Sequence, residues 1–231
     1  MGLVLSGVTV HYPGAADPAV HEVSLAVTPG ERVAIVGENG SGKSTILGVW
    51  AGLLVPKSGT ASVFGTDASA SPDEVARRVG WAPAEPIGFA PRLSVRENLR
   101  FFAALYALDD VDRRSSQWPE LELEPLLSRP FQTLSVGQRA RVALARAMFH
   151  DPDALLIDEA TRSLDPRFVD RVHALFHAFA ARGRAVVLVT HDVAEAQRCD
   201  RIVLLRAGRV AAEGPPPRIA DALAQAFSER P

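Results

Sequence analysis

The sequence predicts an α/β fold: a parallel sheet at the core, an antiparallel β unit at the N-terminus and a helical insertion in the middle. Three observations predict it. A glycine-rich segment, Gly37-Glu38-Asn39-Gly40-Ser41-Gly42-Lys43-Ser44, stands between an apolar run that reads as a strand, Glu31 to Val36, and one that reads as a helix, Thr45 to Leu54. From Leu134 onward, helical and apolar strand-like runs alternate, the pattern of parallel strands joined by crossover helices. Ahead of the glycine-rich segment, residues 3–10 and 20–27 show the period-2 alternation of half-buried strands.

Taken in order, Val23, Leu25 and Val27 interleave with Ser24 and Ala26, and Pro29-Gly30 supplies a turn before the next strand. Thr60 to Phe64 reads as another short strand, between turns at Ser58-Gly59 and Gly65-Thr66, so these segments predict an antiparallel sheet. The texture changes near Gly80. Ser94-Val95-Arg96-Glu97 has the capping-box pattern, in which serine and glutamate satisfy backbone N–H groups at a helix start. The helix behind it, to about Leu108, places Val95, Leu99, Phe102 and Tyr106 on one stripe. Asp109 to Gln117 is polar and reads as a linker, and Leu121 to Leu127 reads as a second, shorter helix. Asp165-Pro166 is an N-cap and first-turn pair for a helix to about Ala181. Ala185 to Val189 is an apolar strand, and a terminal helix, Arg218 to Glu229, follows the break at Pro215-Pro216-Pro217. The 231 residues are read as one domain, 1–231: residues 1–84 and 134–231 form the α/β core with its β unit, and 85–133 the insertion.

The glycine-rich segment fits G-x-x-x-x-G-K-[ST] at every fixed position, and the flanking strand and helix make it a P-loop NTPase core. Glycines admit backbone shapes that a Cβ would block, so the N–H groups of residues 37–45 can converge on phosphate oxygens at the positive end of a helix. In that motif Lys43 reaches the β- and γ-phosphates and the Ser44 hydroxyl binds Mg²⁺. Only two of the 25 basic side chains are lysines, Lys43 and Lys57, so a lysine at this position is not background composition.

Composition narrows the function classes. Net charge is −2 and the longest basic runs are pairs, Arg77-Arg78 and Arg113-Arg114, which argues against a nucleic-acid partner. Cys199 is the only cysteine, so an internal disulfide and a cysteine-based zinc site are excluded. No apolar run reaches the roughly 18–20 residues that span a bilayer, and the first ten residues alternate like a strand without a basic start, unlike a signal peptide. These features fit a cytoplasmic protein. His173 and His177 have i, i+4 spacing, but no third ligand accompanies them, and one face of an amphipathic helix accounts for both.

Further blocks follow in a set order: Leu134-Ser135-Val136-Gly137-Gln138, then Leu155-Leu156-Ile157-Asp158-Glu159, Ser163-Leu164-Asp165 and Thr190-His191-Asp192. Over about residues 3 to 214 this order resembles the ATP-binding subunit of ABC transporters, with residues 93–106 looking most like exporters whose membrane part is a separate chain. The resemblance implies an ATPase using ATP and Mg²⁺. Asp158 holds the metal through water, Glu159 orients and deprotonates the attacking water, and His191 contacts the γ-phosphate. It also implies that Tyr12 stacks on adenine, although Tyr-Pro-Gly is equally a common surface turn. Residues 134–138 close over the ATP of a partner subunit, and Ser163, Leu164 and Asp165 lie at that interface. The implied partners are a second ATP-binding subunit, identical or related, and a transmembrane permease, with the chain peripheral on the cytoplasmic face of the membrane.

The sequence departs from the family in three places. Val136 replaces a glycine of the signature block, and Ala160 replaces the usual proline. Ala84 stands where the family places a glutamine that senses Mg²⁺ and the γ-phosphate. Glu85, next along, is either a substitute cation ligand or a solvated loop residue. A soluble non-transport ATPase of the same superfamily, acting in DNA repair or on ribosomes, is the competing reading, but such proteins carry coiled-coil insertions, fused cassettes or basic arms. A P-loop GTPase or kinase would leave residues 134–138 unexplained, and no Asn-Lys-x-Asp guanine motif occurs.

Overall fold

The computed structural model of the protein describes residues 2–109 and 119–228. Strands β1 (Leu3–Val10), β2 (Val20–Val27), β4 (Ser58–Val63) and β5 (Thr66–Asp67) form an antiparallel sheet in the order β2-β1-β4-β5. Its register pairs Leu3 with Val27 and Leu5 with Leu25, so the alternation noted in the sequence puts the apolar set on one face. β5 was not anticipated: the Gly65-Thr66 turn is tight enough for Thr66 to pair back with Val63.

The second sheet has the order β10-β9-β3-β8-β7-β6. Here β3 (Arg32–Gly37), β6 (Val79–Ala82), β7 (Ala154–Asp158), β8 (Ala185–Val189) and β9 (Arg201–Arg206) are parallel, and β10 (Arg209–Gly214) pairs antiparallel with β9 at one edge. Period 2 splits each parallel strand between two cores. Ala34, Val36, Leu155, Ile157, Val186 and Leu188 face one cluster, and Val33, Ile35, Leu156, Val187 and Val189 face the other. The second cluster joins the parallel strands to the antiparallel sheet through α1 (Lys43–Trp50), whose Trp50 is fully buried; truncating such a side chain costs about 3–5 kcal/mol. The first takes in α4 (Val136–Met148), α5 (Pro166–Ala181) and the apolar residues of the insertion, including Val95, Leu99, Leu121 and Phe131. The insertion therefore packs into the same core as the sheet.

Local corrections have physical causes. α1 begins at Lys43 and stops at Trp50 rather than Leu54, because Gly52 turns left-handed at φ 70° and the Leu53 and Leu54 N–H groups return to the Gly48 carbonyl. α2 (Pro72–Arg78) and β6 were missed. The signals were present: a proline in the first turn, Asp73 and Glu74 after it, and Arg77 and Arg78 in the last turn. The helix expected over Leu121 to Leu127 is instead two 3₁₀ turns, Pro119–Leu121 and Glu124–Leu126, separated where Glu122 adopts φ 43°. The capping box at Ser94 and Glu97 forms, opening α3 (Val95–Leu105). The linker expected at Asp109 to Gln117 lies, from 110 on, outside the described residues, as does the Arg113-Arg114 pair. α6 (Val193–Ala196) follows β8, and the terminal helix α7 (Pro216–Ser228) starts inside the proline run; the end expected for it, Glu229, also lies outside them.

Candidate nucleotide site

Parallel strands share one C-terminal edge, and ligands of open α/β sheets bind there. At that edge β3 runs into the glycine-rich loop, β7 ends in Asp158, β8 leads to Thr190 and His191, and β6 leads to Ala84 and Glu85. The loop is packed so closely that its glycines are required. A Cβ on Gly37 would lie 2.2 Å from the Leu205 carbonyl oxygen. One on Gly42, at φ 100°, would lie 2.4 Å from that of Ala19. Ser41 is held from both sides, its N–H donating to Glu38 O and its carbonyl accepting from Gly208 N–H. Its buried hydroxyl has no protein partner, as expected of a group that meets a phosphate oxygen.

Lys43 is buried, and its ammonium donates to the carbonyls of Gly37 (2.9 Å) and Glu38 (2.8 Å). Burial lowers its pKa, opposed by the nearby charges of Glu159 and Asp158. Asp158 is 8% exposed, and burial pushes its carboxyl above the ordinary range; the Ser44 hydroxyl donates to it, and the Glu159 charge adds to the upward push. A hydroxyl and a carboxylate already in contact, beside a second acid, form a donor set that suits a hard divalent cation. The Tyr12 hydroxyl bonds the Thr45 hydroxyl at 3.1 Å, which brings the half-exposed ring beside the start of α1.

Glu159 adopts φ 49°, an uncommon left-handed conformation for a residue with a side chain. Its N–H donates to Val189 O at 3.0 Å, which ties the end of β7 to the end of β8. Its carboxylate is bracketed: Oε1 lies 3.3 Å from His191 Nδ1 and Oε2 lies 3.5 Å from Arg162 Nη1. Beside it opens a cavity of about 470 Å³, lined in part by Thr161, Leu164, Thr190 and Glu195.

Residues Leu134 to Gln138 form a second capping box. The Ser135 hydroxyl accepts from Gln138 N–H and the Gln138 side chain accepts from Ser135 N–H, and Val136 is 65% exposed. Gly137 packs on Ser163, where a Cβ would come within 2.7 Å of the carbonyl oxygen. Asp165 caps α5 by accepting from the N–H groups of Arg167 and Phe168. The structure therefore gathers Tyr12, residues 37–45, Asp158, Glu159 and His191 at one edge and puts residues 134–138 against 163–165. Among the described residues, no hydrogen bond of Ser135 to Gln138 reaches the phosphate loop. Glu85 follows β6 with an exposed side chain.

Sequence reading missed two features. Arg162 has no motif of its own and approaches Glu159 only because of the left-handed turn. His173, taken as part of a helix face, is buried and lies 3.1 Å from the buried Glu195. His173 thus has a buried partner in Glu195, while His177 on the same helix is exposed.

The sequence profile described as "ABC transporter" matches residues 20–162. The energy-coupling factor transporter ATP-binding protein EcfA1 of Geobacillus kaustophilus is 38% identical over 94% of this chain and 80% of its own. The nickel import ATP-binding protein NikO of Rhodobacter capsulatus is 38% identical over 91% and 88%. Among solved structures, an ATP-binding cassette, dimeric in a post-hydrolysis state with ADP and Pi bound, superposes with a TM-score of 0.84 at 28% identity, covering 93% of this chain and 98% of that one. The matching family profile and these relatives place the chain in the ABC transporter family, among its ATP-binding subunits.

Proposed function

We propose that the subunit hydrolyses ATP with Mg²⁺ and energises transport by a separate membrane protein. The observation that carries this reading is the Glu159 carboxylate, held between His191 and Arg162 at the edge that also presents the phosphate loop. Ser44 and Asp158 are the residues that would hold Mg²⁺, which would supply neutralisation of the phosphate charge. The N–H groups of residues 38–45 bind phosphate oxygens. Lys43 exchanges its two carbonyl acceptors for the β- and γ-phosphates. Glu159 takes the proton of the attacking water, and His191 orients that water and the γ-phosphate. Tyr12 stacks on the base. Ser135, Val136, Gly137 and Gln138 close over the nucleotide of a second subunit, identical or related, with Ser163 to Asp165 at the same interface.

Residues 85–133 are the insertion that engages the permease, and the subunit is peripheral on the cytoplasmic face of the membrane through that partner. No helix of the described residues is long and apolar enough to cross a membrane. Export is favoured by the resemblance of residues 93–106 to exporter subunits, whereas relatives named for import and for export both match the chain. Glu85 is a further candidate Mg²⁺ ligand beside Ala84.

The test is a pair of variants. Glu159→Gln should bind ATP as the unaltered protein does while turnover falls about 10²–10⁴-fold. Lys43→Ala should lose tight ATP binding. Hydrolysis at an unchanged rate by Glu159→Gln refutes the base assignment.

A further inference from the structure

Arg146 lies in the last turn of α4, the helix that opens with Ser135 to Gln138. Its guanidinium donates through Nη1 to Ile87 O at 2.7 Å and through Nη2 to Trp81 O at 3.3 Å. These two carbonyls bracket the loop that carries Ala84 and Glu85. The same guanidinium lies over the rings of Phe89, 5.0 Å from the centroid, and Phe102, 4.9 Å. Phe102 belongs to α3, and Phe89 stacks on Phe131 at 4.3 Å, so both rings are part of the insertion's aromatic cluster. Among the described residues no carboxylate pairs with Arg146; its guanidinium donates to main-chain carbonyls and lies over aromatic rings. At its base the helix rests directly on the sheet, since a Cβ on Gly80 of β6 would lie 2.0 Å from Ala147 O.

We infer that Arg146 is a positioning residue: by holding both ends of loop 82–86 and lying against both Phe89 and Phe102, it links the insertion to the nucleotide edge of the sheet, in a chain whose residue 84, an alanine, has no polar group to make that link. The inference rests on the ATPase reading above. Arginine suits the task because its fork offers separate nitrogens to two carbonyls while the delocalised cation packs against aromatic rings. A lysine would have to serve from one nitrogen the two carbonyls that arginine reaches with Nη1 and Nη2, and it has no planar cation to lay against the rings.

The experiment uses Glu159→Gln protein, which should hold ATP without consuming it, and reads the emission of Trp81, taken as the difference from the same protein carrying Trp81→Phe. Adding Mg²⁺–ATP should change the Trp81 signal. Adding Arg146→Lys should remove most of that change while the ATP dissociation constant stays within about threefold. A Trp81 response retained in full by Arg146→Lys, or no response in the protein that keeps Arg146, overturns the inference. Should Arg146→Lys fail to fold, hydrogen exchange on the protein with Arg146 intact decides. Residues 82–89 and 95–105 gaining protection together on ATP binding supports the link, and either segment responding alone overturns it. Failure of ATP to bind the Glu159→Gln protein overturns the ATPase reading itself, an outcome distinct from ATP binding without a Trp81 response.

Discussion

Gly137→Ala separates the stability of the fold from the geometry of the signature block. The added methyl would stand 2.7 Å from the Ser163 carbonyl oxygen, a backbone atom that cannot swing aside. Relief to an ordinary contact requires the N-terminus of α4 and the 163–165 loop to part by about 0.7 Å. Overpacking of this kind costs about 1–3 kcal/mol, and exchanging glycine for alanine in a helix returns up to about 1 kcal/mol. The net loss is about 0–3 kcal/mol, a melting-temperature drop of no more than about 12 °C for a chain of this size. The fold survives, but the block proposed to meet a second subunit's nucleotide is displaced. ATP binding, governed by the loop at the other strand ends, should stay within about threefold, whereas hydrolysis should fall at least about tenfold. In the Glu159→Gln background, light scattering should show the ATP-dependent dimer weakened. If Gly137→Ala melts, dimerises and hydrolyses as the unaltered protein does, the Ser163 contact yields freely and the argument fails. If ATP binding is lost along with turnover, residues 134–138 serve their own subunit's nucleotide instead.

Two buried carboxylates should respond to pH with opposite signs. Burial, together with the Glu159 charge and against the Ser44 hydrogen bond, raises the Asp158 pKa. Its ionised form therefore weakens the nucleotide-free protein at neutral pH, and the penalty disappears as pH falls through the raised folded value. Asp158→Asn should stabilise that state by about 0.5–2 kcal/mol at pH 7 while Mg²⁺-dependent turnover is lost; calorimetry should show the gain shrinking on acidification, and a gain constant with pH refutes the cause. Glu195 is the reverse case. Burial pushes its pKa up, but hydrogen bonding, first of all to His173, outweighs it and leaves the pKa lowered. Its contribution is complete above the ordinary value of 4.5 and is lost as pH falls through the depressed folded value. Glu195→Gln should cost about 1–3 kcal/mol near pH 7, with the difference narrowing below the ordinary value; a difference that widens on acidification contradicts the assignment.

The parts of the molecule legible in the sequence share one property: their physics is local. The phosphate loop, the capping boxes at Ser94 and Ser135 and the Asp165-Pro166 helix start all depend on residues a few positions apart. The period-2 strands and the helix–strand alternation after Leu134 are repeats of short range. Where local signals were weak or subtle, the reading failed. β6 is only four residues long and is identified mainly by its pairing with β7. The 121–127 segment has apolar spacing compatible with a helix, but Glu122 breaks it.

The sequence by itself determined the fold class, the family and the chemical types at the nucleotide edge, because each motif carries its own geometry. Tertiary structure alone decided which side chains meet. The Arg162–Glu159–His191 contact follows from a left-handed residue at the end of β7 beside the end of β8. The burial of His173 against Glu195 needs α5 to lie across the segment after β8. Arg146 can reach Trp81 and Ile87 only because Gly80 lets a helix backbone rest directly on a strand. Apart from Arg162–Glu159, three positions apart, these contacts join residues 22 to 65 positions apart, and no local pattern encodes them, since they depend on how whole elements stack.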